Sequence, residues 1–271
     1  MLTMTQRTRV RHVKRSLSTT PSGWVEDMPP VIHRKMKRNV TLFCGWGRLI
    51  FGHTFSDHDR IIDIFASEPE GKRDLAIYIK NHHVLLTKAP DLLFVDPSHT
   101  YRLWLHHYRM PKQRPSHFRI RLLQGEEDAR QVNAIYRKCG LIESPVSTIV
   151  ENQKTPVFSY FVAEDADGQI IGSIMGIDHK AAFNDPEKGA SFWCLAVDPD
   201  RRARGVGRSL VRCVAEYYLA KGREYLDLSV LHDNHRAIRL YRSLGFRRVP
   251  VYVVKRKNEI NRNFYTGGPK P

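Results

Sequence analysis

The stretch that decides the predicted fold is Leu195-Ala-Val-Asp-Pro-Asp-Arg-Arg-Ala-Arg-Gly-Val-Gly-Arg-Ser-Leu210. Its apolar start indicates the end of a buried strand, Pro199 terminates that strand, and an amphipathic helix begins after the glycines. Gly205 and Gly207 allow a ligand to approach the backbone closely, and the free N–H groups of a first helical turn attract an anion. Four arginines surround the same turn: Arg201, Arg202, Arg204 and Arg208. The sequence therefore predicts a cradle that fits a diphosphate.

Two other phosphate-binding motifs do not fit this stretch. It lacks the third glycine of the dinucleotide-binding fingerprint, and it has no Gly-Lys-Ser or Gly-Lys-Thr of the kind found in nucleotide P-loops. On these residues alone, a solvated basic turn that binds no ligand stays open as an alternative.

Hydrophobic periodicity predicts regular elements on both sides of the cradle. Upstream we expect a strand over 118–123, a helix over 126–139, a hairpin of strands over 158–164 and 170–177, and a strand over 191–197. Downstream we expect a helix as far as Lys221, a strand over 224–231, a helix over 234–244, and one or two strands over 246–254. This order predicts an α/β (α+β) fold with a mixed, mostly antiparallel sheet flanked by helices.

The rest of the chain divides by composition. Residues 1–38 carry nine Lys or Arg against two acidic residues, which predicts a basic, partly disordered arm. Residues 39–107 indicate a small α/β unit with strands over 41–52, a helix over 57–67, and short strands over 74–80, 83–87 and 100–105. Two prolines mark 108–117 as a linker, so the main domain is expected over 118–258 and a tail over 259–271.

Composition narrows the class of protein. No apolar stretch approaches the length of about 20 residues that crosses a bilayer, and no secretory signal is apparent, so a cytoplasmic location away from the membrane is expected. The four cysteines form no Cys-x-x-Cys pair, and the histidines lack metal-binding spacing, so no metal site is expected. The net charge of +16 suits nucleic acid, an anionic surface or a polyanionic ligand, and charge alone does not choose among them.

Two linked motifs resemble those of GNAT acetyltransferases. Arg202-Ala-Arg-Gly205-Val-Gly207 resembles the family pattern Arg/Gln-x-x-Gly-x-Gly/Ala, and Leu195-Ala-Val-Asp-Pro precedes it as in the family. The pattern Asn234-x-x-Ala-x-x-x-Tyr241-x-x-x-Gly-Phe then follows it. The resemblance implies a GNAT-type sheet and acetyl-CoA as the cofactor. It also implies a role for each residue of the motifs: Leu195, Ala196 and Val197 pair with the pantetheine arm, Arg202, Arg204, Gly205, Val206, Gly207, Arg208 and Ser209 hold the diphosphate, and Asn234 lies along the pantetheine.

The expected reaction is the attack of a neutral amine on a thioester. Tyr241 matches the family tyrosine that gives a proton to the departing thiolate, and a strand N–H near Leu195–Val197 would meet the oxyanion where the sheet is expected to splay. The strand over 191–195 offers no carboxylate as a general base. A water relay to Asp178, His179 or Glu187 and direct action of His232 stay open as alternatives.

Longer stretches resemble the acetyltransferase part of the N-acetylglutaminylglutamine synthetase family. The similar stretches begin at Cys44, Asp96, Gly176, Trp193, Asp227 and Val254. This resemblance implies acetylation of the α-amine of glutamine or glutaminylglutamine in osmoprotectant dipeptide synthesis in bacteria, with Asp178, His179 and the loop through Asp185-Pro186 as substrate contacts. An ATP-grasp ligase follows in that family, and the chain ends at Pro271, so we expect either a ligase partner in a longer chain or an enzyme that works without one.

Two further hypotheses remain. One is a GNAT acetyltransferase that acts on another small amine or on a protein amine. The other is a basic, nucleic-acid-associated binding module with an idle GNAT fold, against which the intact Arg202, Gly205, Gly207 and Tyr241 argue. Exposed strand edges over 249–254 would allow a homo-oligomer.

Overall fold

The computed structural model describes residues 36–111, 115, 117–201 and 204–266, so the predicted basic arm lies almost entirely outside the described residues. The strands in this part of the chain are β1 Thr41–Phe43, β2 Arg48–Phe51, β3 Leu75–Ile77, β4 Leu93–Val95, β5 Ser98–Trp104, β6 Phe118–Leu122, β7 Phe158–Asp165, β8 Ile170–Asp178, β9 Gly189–Val197, β10 Tyr225–Leu231, β11 Arg247–Val249 and β12 Val253–Arg256. The α-helices are α1 His58–Ala66, α2 His82–Lys88, α3 Gly125–Lys138, α4 Val146–Gln153, α5 His179–Phe183, α6 Val206–Ala220, α7 His235–Ser243 and α8 Arg262–Tyr265.

The main sheet has seven strands in the order β11-β5-β10-β9-β8-β7-β6 within the described residues. Only β9 and β10 run parallel, and the other neighbours are antiparallel. The hairpin β7–β8 turns at Gly168, which adopts φ +78°, a value that glycine takes without strain. The predicted fold class, a mixed and mostly antiparallel sheet flanked by helices, is confirmed.

The smaller sheet has five strands in the order β1-β2-β3-β12-β4. The two sheets exchange strands. Strand β5 precedes the predicted linker, yet it belongs to the main sheet and pairs with β10 over its full length. Strand β12 follows the main-sheet strands in the chain, yet it lies between β3 and β4 in the smaller sheet. The boundaries predicted at 107 and 258 therefore do not separate the two sheets. In addition, β12 is an interior strand, and of the segment 249–254 only β11 reaches a sheet edge.

Three apolar clusters hold these layers together. Helices α6 and α7 pack on one face of the main sheet, with Leu210, Val214 and Ile238 buried against it. Helix α3 shares a second cluster on the other face with residues of the smaller sheet, such as Phe51 and Leu75. Helices α1 and α2 cover the outer face of the smaller sheet. The smaller sheet is thus packed against the face of the main sheet that lies opposite α6 and α7.

One predicted strand is wrong. Residues 83–87 alternate briefly in the sequence, but the structure has helix α2 over His82–Lys88. Leu85, Leu86, Ala89 and Leu92 all pack on the outer cluster, and their spacing is helical once the segment is followed beyond residue 87. The predicted tail also has structure, since α8 places the Tyr265 ring 5.2 Å from that of Phe94.

A buried ion pair joins β5 and β10, two neighbouring strands of the main sheet. Arg102 on β5 lies directly opposite Asp227 on β10, and its guanidinium donates two hydrogen bonds of 2.8 Å to the carboxylate. The Tyr78 hydroxyl donates a third bond of 2.7 Å to the same carboxylate. Because all three side chains are buried, this cluster ties the smaller sheet to the main sheet.

Among the described residues, no helix combines the length and the apolar composition that a membrane crossing requires.

Candidate active site

The main sheet opens between its two parallel strands. Strands β9 and β10 pair at Gly189–Tyr225, Ala190–Leu226 and Ser191–Asp227, and no further ladder pair joins them in the described chain. Both strands nevertheless continue, β9 to Val197 and β10 to Leu231. The edge of β9 that faces this gap is therefore free to pair with an extended ligand, and the predicted splay of the sheet is present.

A bulge turns the free part of β9. Its register against β8 shifts between Ser173 and Met175, so that Ser173 lies opposite Ala196 while Met175 lies opposite Trp193. Cys194 adopts φ +52° at this point, a left-handed value that is uncommon for a residue with a side chain. Bulges occur beside active sites because they redirect the strand. Here the bulge immediately precedes Leu195–Val197, the predicted pantetheine contacts.

The predicted cradle lies at the start of α6. Gly205 is the N-cap at φ +88°, and no side chain caps the helix. The first helical bond runs from Ser209 N to Gly205 O at 2.9 Å, so the N–H groups of Val206, Gly207 and Arg208 have no acceptor within the helix. A Cβ at Gly207 would lie 3.6 Å from Val197 Cγ2, which places this turn directly beside the end of β9.

The charge around the cradle is positive. The first turn of α6 contains no acidic residue, and neither Arg204 nor Arg208 forms an ion pair with a described residue. Arg201 is engaged elsewhere, because its Nη1 lies 2.6 Å from Asp165 Oδ2, and Arg202 lies outside the described residues. Free N–H groups at a helix N-terminus, together with two unpaired arginines, fit a diphosphate.

Tyr241 borders the gap from α7. Its ring packs 5.8 Å from that of Phe192, the first β9 residue beyond the last β10 pair, and 5.9 Å from that of Phe246. The side chain is 6% exposed, and burial raises its pKa above the ordinary value. The hydroxyl therefore stays protonated throughout the neutral range, as a proton donor requires.

Asn234 and His232 lie at the end of β10. Asn234 caps α7, since its Oδ1 accepts a hydrogen bond of 3.1 Å from Ala237 N, so that oxygen is already used within the chain. His232 is exposed, and its Nδ1 lies 3.0 Å from Pro97 O. The contact of Asn234 with pantetheine and the function of His232 stay predictions.

Asp178 and His179 lie beside the paired part of β9, before the gap begins. Asp178 forms a bidentate ion pair of 2.8 Å with Arg223 and caps α5 through Ala181 N. His179 is fully buried, and its Nε2 lies 2.9 Å from Ser191 Oγ. Burial lowers the pKa of His179, so the ring is neutral. Both side chains lie toward the paired end of β9, and their roles as substrate contacts or as a base relay stay predictions.

Glu187, the third predicted relay residue, also lies toward that end. Glu187 precedes the start of β9 by two residues, and it lines a separate cavity of about 110 Å³ together with Arg102 and Tyr225. The end of β9 that pairs with β10 therefore holds all three relay candidates, whereas the free end holds none of them.

A cavity that no sequence pattern predicted lies on the opposite face of the gap from α6, and we call it the sheet cavity. It has a volume of about 230 Å³ and is lined by Trp193 and Cys194 of β9 and by Ser229–Leu231 of β10. The smaller sheet and its loops supply the charged lining residues: Arg73, Asp96 and Lys255. Asp96 and Lys255 lie in stretches that resemble the N-acetylglutaminylglutamine synthetase family. This resemblance was the only sequence feature that pointed to the described residues of the cavity.

Comparisons with known proteins agree with this geometry. Residues 126–246 match the Acetyltransferase (GNAT) family. A mycothiol acetyltransferase of Saccharomonospora viridis is 28% identical over 179 residues, which is 62% of this chain and 56% of that protein. A mycothiol acetyltransferase of Clavibacter sepedonicus is 35% identical over 99 residues, which is 36% of this chain and 30% of that protein. The chain thus spans only part of the length of both relatives.

Solved structures support the fold. The GCN5-related N-acetyltransferase from Kribbella flavida has a TM-score of 0.53 at 15% identity, over 81% of this chain and 89% of that one. The family match covers α3 through α7, and therefore the cradle, the gap and Tyr241. The region that holds the cradle, the gap and Tyr241 thus matches the Acetyltransferase (GNAT) family, for which acetyl-CoA is the cofactor.

Proposed function

We propose that this protein is an acetyl-CoA-dependent N-acetyltransferase that acetylates the α-amine of glutamine or glutaminylglutamine. The observation that carries the proposal is the gap between β9 and β10, which has the cradle at its end and the sheet cavity on its far face. A donor with a diphosphate and an extended arm fits the first side, and a small acceptor fits the second. The resemblance to the N-acetylglutaminylglutamine synthetase family supports the choice of acceptor.

Each part of the gap has a chemical role in this proposal. The free N–H groups of Val206, Gly207 and Arg208 bind the diphosphate, with Arg204 adding charge. The open edge of Leu195–Val197 binds the arm of the cofactor as an added strand would. When bound, acetyl-CoA supplies an acetyl group activated as a thioester. Backbone N–H groups of β9 near the bulge would hold the thioester oxygen while the acceptor nitrogen bonds to the acetyl carbon and the C–S bond breaks. The Tyr241 hydroxyl would give its proton to the departing sulfur and would be reprotonated by the proton that the nitrogen loses.

The test is release of free thiol from acetyl-CoA by the purified chain, with glutamine, glutaminylglutamine and a panel of other amines as acceptors. Tyr241→Phe is the test variant, and Tyr252→Phe, at an exposed tyrosine outside the gap, is the matched control. We expect turnover with glutamine or its dipeptide that falls about 100-fold or more in Tyr241→Phe and is unchanged in the control. Turnover with other amines alone would discard the proposed acceptor and leave the enzyme.

Two alternatives are tested by the same preparation. A GNAT enzyme that acts on a different amine shares the cradle and the gap, and the panel of acceptors separates it. A basic binding module with an idle fold would release no thiol and would bind nucleic acid with an affinity that falls steeply as salt increases. An ATP-grasp ligase partner would join two glutamines by a peptide bond and is sought by co-purification.

A further inference from the structure

The sheet cavity holds more positive than negative charge. Among the described residues that line the cavity, Arg73 and Lys255 are cationic and Asp96 is the only carboxylate. Lys255 Nζ lies 2.7 Å from Asp96 Oδ1, and both side chains are buried. Burial lowers the pKa of Lys255, and the nearby Asp96 charge opposes this shift. These two charges balance each other, so the charge of Arg73 remains.

The charges of Asp96 and Glu68 act on Arg73, but neither carboxylate is within ion-pair distance of it. It forms no ion pair with a described residue, and its Nε is buried without a hydrogen-bond partner in the described chain. Its Nη2 donates one long bond of 3.4 Å to Ile260 O. A guanidinium stays charged at physiological pH, and its planar set of donors matches a carboxylate. A partly buried guanidinium with unused donors favours an anionic ligand.

The position of Arg73 relative to the gap defines what this ligand is. The cavity reaches from Arg73 in the smaller sheet to Trp193 and Cys194 at the bulge of β9. An acceptor with its amine in the gap would extend its remaining atoms into this cavity. The walls between the two ends are mostly apolar, and the rings of Trp46 and Trp193 lie 6.4 Å apart. This arrangement suits a small acceptor that carries both an amine and an anionic group.

We infer that Arg73 binds the carboxylate of the acetyl acceptor, and that the acceptor is a small amine bearing a carboxylate. This inference rests on the proposed function, because it takes the sheet cavity as the acceptor side of the same gap. The volume of about 230 Å³ is below the range of about 300–1,000 Å³ typical of sites for drug-sized ligands, which favours an acceptor the size of an amino acid over a protein side chain in its peptide context.

The experiment compares two acceptors that differ only in the carboxylate, glutamine and glutaminamide. The variants are Arg73→Gln, which removes the charge, Arg73→Lys, which keeps the charge without the planar donors, and Arg60→Gln, an exposed control on α1. We expect Arg73→Gln to lower kcat/KM for glutamine about 10- to 100-fold, mainly through KM, and to leave glutaminamide unchanged. The kcat/KM of Arg73→Lys for glutamine should lie between those of Arg73→Gln and the parent chain. The kcat/KM of Arg60→Gln should equal that of the parent chain.

Equal losses for both acceptors, or no loss for glutamine, would overturn the role of Arg73 and would leave the proposed function standing. If no amine is acetylated, calorimetric binding of N-acetylglutamine decides the question. Binding that Arg73→Gln abolishes and Arg60→Gln preserves would support the carboxylate site although the proposed function has failed. Absence of binding to the parent chain would overturn the inference. Unchanged unfolding temperatures of the variants exclude a folding defect as the cause.

Discussion

The buried ion pair between Arg102 and Asp227 gives a stability prediction that the structure makes quantitative. In Asp227→Ala, Arg102 would lose both 2.8 Å bonds while remaining 3% exposed, and the Tyr78 hydroxyl would lose its acceptor. Removing one partner of a buried pair costs about 3–5 kcal/mol, because the other charge stays buried without compensation. A domain has about 5–15 kcal/mol in total, so the variant should lose a large part of its free energy of unfolding.

Urea denaturation followed by tryptophan fluorescence measures this loss. The control is Glu143→Ala, which breaks the Arg137–Glu143 pair of 2.8 Å, where Arg137 is 70% and Glu143 39% exposed. Surface pairs of this kind contribute about 0–1 kcal/mol. The double variant Arg102→Met/Asp227→Leu should recover most of the lost stability, because no unpaired charge remains. A loss below about 1 kcal/mol in Asp227→Ala would refute the reasoning.

Two further predictions concern the packing of α6 and the pH dependence of stability. In Gly172→Ala, the new Cβ would lie 2.9 Å from Val206 Cγ1 and 3.0 Å from Ala196 O, so α6 must shift away from β8. We expect the free energy of unfolding, measured by urea denaturation, to fall by about 1–3 kcal/mol and acetyl-CoA to bind more weakly. Unchanged binding would contradict the close packing. Burial lowers the pKa of His179 in the folded chain. Below the ordinary histidine pKa of about 6.5, the unfolded chain therefore binds more protons than the folded chain does. The stability of the fold consequently decreases as the pH falls from about 6.5 through the lowered pKa. His179→Phe should reduce this loss between about pH 6.5 and 5, and an unchanged pH profile of unfolding would exclude His179 as its source.

Much of the main domain follows from local sequence patterns. The strands and helices from β6 to α7, except the short helices α4 and α5, were predictable because apolar side chains repeat along each of them with the period of the element. Gly205 and Gly207 marked the cradle because glycines among arginines at the start of a helix are typical of an anion-binding turn. Helix α2 was missed because residues 83–87 alternate like a strand. The helical spacing is visible only when Leu85 and Leu86 are considered together with Ala89 and Leu92, which follow the helix.

The rest depends on contacts between distant parts of the chain. Arg102 and Asp227 are 125 positions apart, and nothing local in either segment indicates that β5 lies beside β10. Arg73, Asp96 and Lys255 likewise come from three separate segments that the smaller sheet brings to one cavity. Asp178 and His179 appeared suited to substrate contact because they precede β9, whereas the fold buries them at its other end. Sequence patterns identify elements, but the pairing of β5, β10 and β12 determines the acceptor side of the site.

The central claim is that the gap between β9 and β10, with the cradle at its end, binds acetyl-CoA. Calorimetric titration of acetyl-CoA into the purified chain tests it most directly, with Arg204→Gln/Arg208→Gln as the cradle variant and Arg130→Gln, an exposed residue on α3, as the control. We expect one site per chain, with a Kd that rises at least about tenfold in the cradle variant, since each charge-assisted bond to a phosphate contributes about 1.5–3 kcal/mol. Equal affinity in all three proteins, or no binding to the parent chain, would contradict the account.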